Sequence, residues 1–343
     1  MRFFGKTGTT GRMKTKLPKI PLLLFLAFAV GLPYLYIRRT ANGSTEGPNT
    51  ISPGFASPLN SQPGQPADAF LARSVVLLEG YHSIGANVEY EAELFGVQLT
   101  GRGTYRELRA GPVPRVRLEL EVPLENRMGA LVEICDGRQL WTYRRLFDEE
   151  KLTRVDLERV ARAITQSEES PPLTPMTGTI GMGGLAGLMK ELQRNFRFEI
   201  VGPSQWRDQP TWELRGRWLP ERLARVLPDQ KDAILRGETP DYRKLPPHLP
   251  SLVLLTLGRE NLFPYRVEYR RPRAVVESNR SDAATPDETE GVEVKWLGIS
   301  LDEPMNPEDF ECRPGTMEVT DLTESHIERL KGRMAPSPTE PQP

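Results

Sequence analysis

The 343-residue sequence predicts an α+β fold in which amphipathic helices cover the apolar face of an antiparallel sheet, preceded by one N-terminal transmembrane helix. Three observations carry this prediction. Apolar and polar residues alternate with a period of two in several segments, three other segments show helical spacing of apolar residues, and an uncharged apolar run lies near the N-terminus.

The composition narrows the functional classes. The net charge is -1, from 45 basic and 46 acidic residues, so no overall field attracts nucleic acid, and we expect no nucleic-acid partner. The two cysteines, Cys135 and Cys312, are too few for a zinc module. They form either one disulfide or two unpaired buried thiols, and we favour the thiols.

The apolar run at residues 20–37 predicts a membrane anchor. Its 18 residues carry no charge and would span about 27 Å as a helix, close to the hydrocarbon core of a bilayer. The basic tail at residues 1–19 has six Lys or Arg residues and no acidic one, which predicts a cytoplasmic N-terminus. We therefore expect a single-pass protein of the inner membrane with a periplasmic C-terminal domain.

A cleaved signal peptide is the alternative interpretation of this run. Ala27-Phe28-Ala29 is similar to a cleavage site, but the apolar run continues for eight residues beyond it. Signal peptides normally end their apolar region before the cleavage site. We favour an uncleaved anchor.

Polar segments divide the rest of the chain. Residues 38–68 are rich in Gly, Pro, Ser, Thr and Asn and predict a disordered linker, and residues 332–343 predict a disordered tail. We expect one domain over residues 69–331, with a loop at residues 278–291. The proline-rich insert at residues 220–250 contains one helical candidate, Glu221 to Leu227, and its role is left open.

Period-two alternation predicts strands with one packed and one wet face. It occurs in stretches centred on the following apolar residues: Val88, Tyr90, Ala92 and Leu94; Val116, Leu118, Leu120 and Val122; Phe196, Phe198 and Ile200; Trp212, Leu214 and Trp218; Tyr265, Val267 and Tyr269; Val292, Val294 and Trp296. Asp136-Gly137 lies between two further strand-like runs and predicts a tight hairpin turn.

Three amphipathic helices are predicted between the strands. The first begins near Asp68, a candidate N-cap. The second begins at Thr153, where Asp156 three residues later resembles a capping box. The third carries the apolar stripe Leu185, Leu188, Met189 and Leu192.

No residue pattern indicates catalysis, a metal or a cofactor. His82, His248 and His326 have no ligand spacing. The string from Gly181 to Ala186 fits a dinucleotide fingerprint, but prolines precede it where a strand should lie. We expect these glycines to let the third helix start close to another backbone, and we expect a protein that is not an enzyme.

Two stretches resemble the bacterial outer-membrane lipoprotein carrier and sorting family (LolA-like). The first is Cys135-Asp136-Gly137-Arg138-Gln139-Leu140-Trp141-Thr142-Tyr143, which is similar to that family's hairpin with an aromatic pair. The second is residues 306–323, where Phe310, Pro314-Gly315, Val319 and Asp321 are similar to the family's closing strands. The order of helices and strands agrees as well.

The resemblance implies a strongly curved sheet, an incomplete barrel, whose apolar face is covered by helices that enclose lipoprotein acyl chains. The expected partners are therefore a lipid or lipoprotein acyl chain, the membrane through the N-terminal helix, and possible envelope proteins. Carriers of this family are released into the periplasm, whereas this chain is predicted to stay anchored. Candidate residues lining a lipid cavity are Leu185, Leu188, Met189, Leu192, Trp141, Tyr143, Trp212 and Trp218.

Two functions follow as hypotheses. The first is an anchored, non-enzymatic protein that binds an acyl chain between sheet and helices. The second is an envelope sensor or protein-interaction module that uses the same fold without bound lipid. A packed interior would favour the second hypothesis, and the aromatic residues of the strands could equally belong to such a core.

Overall fold

A computed structural model describes most of the predicted domain. The described residues are 67–94, 97–111, 113–124, 127–165, 180–246, 249–272 and 289–334. The predicted membrane span, nearly all of the linker, most of the loop at 278–291 and the end of the C-terminal tail lie outside them. Within these ranges, no helix combines the length and the apolar character needed to cross a membrane.

Twelve strands of the described part of the chain form one open sheet. They are β1 (Ser83–Leu94), β2 (Val97–Leu108), β3 (Arg115–Leu124), β4 (Arg127–Cys135), β5 (Gln139–Leu146), β6 (Glu149–Asp156), β7 (Phe196–Trp206), β8 (Gln209–Trp218), β9 (Leu252–Gly258), β10 (Pro264–Pro272), β11 (Thr289–Leu301) and β12 (Val319–Asp321). Their order is β12-β6-β5-β4-β3-β2-β1-β11-β10-β9-β8-β7. All neighbours pair antiparallel except β12 and β6, which are parallel. The predicted large antiparallel sheet is thus present.

Six α-helices accompany the sheet in the described ranges. They are α1 (Ala67–Gly80), α2 (Leu157–Thr165), α3 (Ile180–Asn195), α4 (Pro220–Val226), α5 (Lys231–Leu235) and α6 (Thr323–Met334). Helix α3 contacts α1, the edge strand β7, and β3 and β4. Because β7 and β3 are separated by six strands in the sheet order, one helix can reach both only if the sheet curls around it.

Two glycines of β2 let the sheet bend tightly. A Cβ atom on Gly103 would lie 1.7 Å from the carbonyl oxygen of Glu119, and one on Gly101 would lie 2.9 Å from that of Glu121. Any side chain at Gly103 would therefore overlap the backbone of β3. Glycines in a strand interior commonly mark such close backbone approaches.

The face on the inside of this curve, here called the inner face, is largely apolar. In β1 and β3 it carries Ile84, Val88, Tyr90, Val116, Leu118 and Leu120, all buried. The register continues this face onto Val294 of β11, Val267 of β10 and Leu255 of β9. These residues and the buried sides of α1 and α3 belong to one hydrophobic cluster.

The insert at residues 220–250 packs onto the same core. Leu223, Leu227, Ile234, Leu245 and Leu249 are buried members of the cluster. The indole nitrogen of Trp218 donates a hydrogen bond of 2.7 Å to the carbonyl oxygen of Pro250 and so ties the end of the insert to β8. The predicted helix at Glu221 to Leu227 is present as α4.

The structure corrects one helix boundary. The predicted second helix begins at Leu157, not at Thr153, which lies buried in β6. The cap is Asp156, whose carboxylate accepts the Arg159 N–H at 2.9 Å. Thr153 instead continues β6 because its backbone pairs with Thr142 of β5.

The elements that carried the family resemblance take the predicted conformations. Asp136 and Gly137 connect β4 to β5, with Gly137 at φ +92° and the Asp136 carboxylate accepting the N–H groups of Arg138 and Gln139. Pro314-Gly315 forms a turn before β12, with Gly315 at φ +59°. Phe310 is fully buried.

Candidate functional site

The apolar stripe of α3 lies in the interior. Leu185, Leu188, Met189 and Leu192 are all buried. The helix runs between the inner face of β3 and β4 on one side and α1 and β7 on the other. The spacing in the sequence found this stripe because residues three and four positions apart share one side of a helix.

Helix α3 has a kink at Gly184, which the carboxylate of Glu107 on β2 fills. Gly184 adopts φ 63° and ψ -161°, a conformation available essentially to glycine alone. A Cβ atom there would lie 2.3 Å from the Glu107 carboxylate. The expected approach to another backbone is therefore wrong: the group that approaches Gly184 is a side chain, and a Cβ atom on Gly183 would meet nothing within 4 Å.

Beyond the kink, three side chains hold the start of the regular helix. They are Tyr105 and Glu107 of β2 and Arg109, which follows this strand. The Leu185 N–H donates to Glu107 Oε2 and to Tyr105 Oη, each at 3.1 Å. Tyr105 Oη donates to Glu107 Oε2 at 2.5 Å, and Arg109 pairs with Glu107 Oε1 at 2.6 Å. A carboxylate at a helix N-terminus satisfies free N–H groups and interacts favourably with the helix dipole.

Burial shifts the titration of this cluster. It raises the pKa of the Glu107 carboxyl, while Arg109, Tyr105 and the Leu185 N–H favour its charged form. Burial, followed by the Glu107 charge, holds the pKa of Tyr105 well above its ordinary value. Glu107 and Tyr105 were not predicted as site residues, because glycines interrupt the apolar pattern of β2.

Two of the predicted aromatic residues lie on the inner face. Trp218 is buried and packs against Phe196 with ring centroids 4.6 Å apart. Trp212 is half-buried, with Phe70 of α1 edge-on at 5.8 Å and the Arg259 guanidinium 4.8 Å from its ring centre. The structure therefore brings both tryptophans to the same interior as α3.

Trp141 and Tyr143 lie on the opposite face of β5. The buried residues of this strand are Leu140, Thr142, Arg144 and Leu146, with which the two aromatic residues alternate. Trp141 is half-buried beneath the Arg154 guanidinium, 5.8 Å from its ring centre. Because neighbouring side chains of a strand point to opposite faces, these two residues stay outside the site built around α3.

Two further residues of the inner face, Tyr90 and Trp296, were not predicted as site residues. They are only 2% and 1% exposed. Neither the Tyr90 hydroxyl nor the Trp296 indole nitrogen has a hydrogen-bond partner among the described residues. Both had been recognised as inward-facing strand residues, but alternation shows burial and not hydrogen bonding.

The inner face becomes polar on β4 to β6. Glu133, Thr142, Arg144 and Thr153 are buried there, and the register aligns Glu133, Thr142 and Thr153 in one row. The interior therefore has an apolar part, over β1 to β3 and β8 to β11, and a polar part beside it.

Metal ligation finds no support in the described part of the chain, where no three His, Cys, Asp or Glu residues converge. His248 lies outside that part. Cys135 and Cys312 are free thiols, as the sequence favoured. Burial raises the pKa of the Cys135 thiol to about 11, which makes it a poor nucleophile near neutrality.

Comparisons with known proteins find similarity among solved structures. A scan of known protein families and a search of curated proteins match nothing. The similar structures include lipoprotein LppX of Mycobacterium tuberculosis, with 10% identity and a TM-score of 0.35 over 70% of this chain and 96% of that one. A DUF1329 family protein from Desulfovibrio piger has 11% identity and a TM-score of 0.33 over 72% and 97%.

A LolA superfamily protein from Nitrosomonas europaea has 14% identity and a TM-score of 0.26, over 73% of this chain and 99% of that one. These neighbours include the LolA-like class of lipoprotein-sorting proteins that the sequence motifs indicated. At such identities and TM-scores, function has to be argued from the residues of this chain.

Proposed function

We propose that the protein is a membrane-anchored, non-enzymatic component of the cell envelope that binds an acyl chain of a lipid or lipoprotein. The chain would lie between the inner face of the sheet and helix α3. The observation that carries the proposal is the way α3 covers the inner face: its stripe is apolar along its length, and the Leu185 N–H ties its N-terminal end to Tyr105 and Glu107 of β2.

Apolar contacts of this kind can be exchanged for contacts with an acyl chain. They are non-directional, and their strength follows the area removed from water, about 0.8 kcal/mol for each buried methylene group. An acyl chain could therefore separate Leu188 or Leu192 from β3 without leaving a polar group unpaired. The hydrogen bonds of Leu185 to Glu107 and Tyr105 would hold one end of the helix in register meanwhile.

The test is to identify lipid in the released domain. A protease site placed within residues 38–66 of the full chain frees the domain from the membrane without detergent, and native mass spectrometry measures its mass. We expect a bound lipid in a defined ratio to protein. A domain that is released folded but empty, and stays empty after exposure to vesicles, would reject lipid binding and favour a sensor or interaction module.

The proposal places the protein in the inner membrane, with the domain on the periplasmic side. The support is the uncharged run at residues 20–37 and the basic tail before it. We expect the full chain to remain in the membrane fraction after an alkaline carbonate wash. A released species that begins after Ala29 would show that the run is a cleaved signal peptide.

A further inference from the structure

Two hydrogen-bonding side chains lie within the most apolar part of the interior. Tyr90 on β1 and Trp296 on β11 both belong to the inner face, 2% and 1% exposed. Trp296 is the register partner of Val88, two residues before Tyr90, so the two aromatic residues are diagonal neighbours on adjacent strands. At this spacing, long aromatic side chains come within reach of each other.

The positions next to them on the inner face of β1 and β11 carry no hydrogen-bonding side chain. The inner-face positions beside them on the two strands are Val88, Ala92, Val292 and Val294. On the other side of β1, Gly101 stands directly opposite Tyr90 and contributes no side chain. Burial alone raises the pKa of the Tyr90 hydroxyl, with no charged neighbour contributing to the change.

Two other buried aromatic polar groups of the interior have partners. The Trp218 indole donates to the Pro250 carbonyl oxygen, and the Tyr105 hydroxyl donates to Glu107. In the described part of the chain, the Tyr90 hydroxyl and the Trp296 indole nitrogen have none. A buried polar group without a partner destabilises the folded state, so a pair of them on one surface indicates a ligand that supplies the partner.

We propose that Tyr90 and Trp296 bind the carbonyl oxygen of an ester- or amide-linked acyl lipid. This inference rests on the proposed function and adds which lipids the site selects. An indole N–H only donates and a phenol can donate, so the complementary group is an acceptor. One carbonyl oxygen has two lone pairs and can accept from both side chains.

A neutral carbonyl fits this place better than an anion. The neighbouring register positions, Val88, Ala92, Val292 and Val294, provide no cation. An unpaired carboxylate or phosphate would lose far more hydration free energy there than two neutral donors return. The acyl linkage of the lipid would thus lie against β1 and β11, and its charged headgroup would lie elsewhere.

The experiment compares lipids that differ only at the linkage. The full chain is reconstituted in vesicles that contain photo-activatable lipids with the same acyl chains and headgroup, linked by ester, amide or ether bonds. After illumination, cross-linked peptides from β1, β2 and β11 are quantified, so lipid that surrounds a membrane anchor does not contribute. We expect ester or amide lipid to exceed the ether lipid by about 25-fold, as for two neutral hydrogen bonds.

Matched variants test whether Tyr90 and Trp296 cause the preference for ester or amide lipid over ether lipid. Tyr90→Phe and Trp296→Phe should each lower it about fivefold, the equivalent of one neutral hydrogen bond. Tyr90→Phe should keep the thermal midpoint within a few degrees, because it loses only a hydroxyl without a partner among the described residues. Trp296→Phe also leaves a cavity in the core and should lower the midpoint further. Trp141→Phe removes an indole on the opposite face of β5, outside the interior that holds α3, and should leave the preference unchanged.

The outcomes separate this inference from the proposed function. Equal cross-linking of ester, amide and ether lipids would overturn the carbonyl site and leave acyl-chain binding intact, as when water alone satisfies the two groups. A preference that persists in Tyr90→Phe and Trp296→Phe would overturn the assignment to these residues. No cross-link of any lipid within the domain would reject the proposed function itself. The ester and amide arms show which linkage the natural lipid carries.

Discussion

The carboxylate of Glu107 accepts the backbone N–H of Leu185 at 3.1 Å, joining strand β2 to the start of the regular part of α3. The two residues are 78 positions apart in the chain. The contact fixes one end of the helix that covers the inner face, and it explains why a glycine precedes Leu185. It therefore gives the first two predictions.

Gly184→Ala should destabilise the domain by about 2–4 kcal/mol. The new Cβ atom would overlap the Glu107 carboxylate, and the alanine would have to adopt a backbone conformation that is available essentially to glycine alone. Gly187→Ala is the matched control, because it lies on the same helix and a Cβ atom there meets nothing within 4 Å. It should stabilise by about 0.5–1 kcal/mol.

Chemical denaturation of both variants measures these differences. Equal effects at the two positions would contradict the assigned role of Gly184.

The buried carboxyl of Glu107 should make stability depend on pH. Burial raises its pKa above the ordinary 4.5, so the folded state binds more protons than the unfolded state between the two pKa values. The free energy of unfolding should therefore fall as pH rises through that window, and the contribution of this group should be most favourable below pH 4.5.

Glu107→Gln should flatten this part of the pH profile, because the amide does not titrate. Urea denaturation over a pH series in the parent and the variant measures the slope. Glu119→Gln, at a carboxylate that is 40% exposed on the neighbouring strand, is the control and should retain the parent's slope. A Glu107→Gln profile as steep as the parent's would assign the effect to other groups.

Trp218→Phe should destabilise the domain more than Trp212→Phe, by about 1–2 kcal/mol. The Trp218 indole donates to the Pro250 carbonyl oxygen, which its loss would leave unpaired at the end of the insert. The Trp212 indole has no such partner among the described residues. Thermal and urea denaturation compare the two, and faster proteolysis within residues 220–250 of Trp218→Phe would show that the insert loosens first.

Asp156→Ala should cost about 1 kcal/mol of stability, since this carboxylate caps helix α2 through the Arg159 N–H. Glu158→Ala, in the same first turn but 62% exposed, should change stability by only about 0.3 kcal/mol. The comparison by urea denaturation checks the corrected start of the helix. A smaller loss at Asp156 than at Glu158 would contradict it.

Hydrophobic periodicity was sufficient to predict the helices and strands whose two faces differ in polarity. Strands such as β3 and β11 and the stripe of α3 were predicted because one side of each is apolar and the other is polar. The hairpin at Asp136-Gly137 was predictable because a glycine at φ +92° leaves a signature in the sequence.

Elements without that contrast were missed for a physical reason. The inner face of β2 consists of glycines, Tyr105 and Glu107, that of β6 includes Lys151 and Thr153, and β9 is buried on both faces. In each, the neighbouring strands decide the conformation by supplying backbone hydrogen bonds, and local sequence has little influence.

By itself, the sequence determined which residues would be buried: the α3 stripe, Trp218, Tyr90 and Trp296 all lie inside. Only the tertiary structure decided which groups contact these residues in the interior. The pairing of β5 puts Trp141 and Tyr143 on the side away from α3, and the packing of α3 on β2 brings Glu107 to Leu185. The same packing leaves Tyr90 and Trp296 without hydrogen-bond partners among the described residues. Burial follows from the polarity of each residue and its neighbours in the chain, whereas partners depend on contacts between segments far apart in sequence.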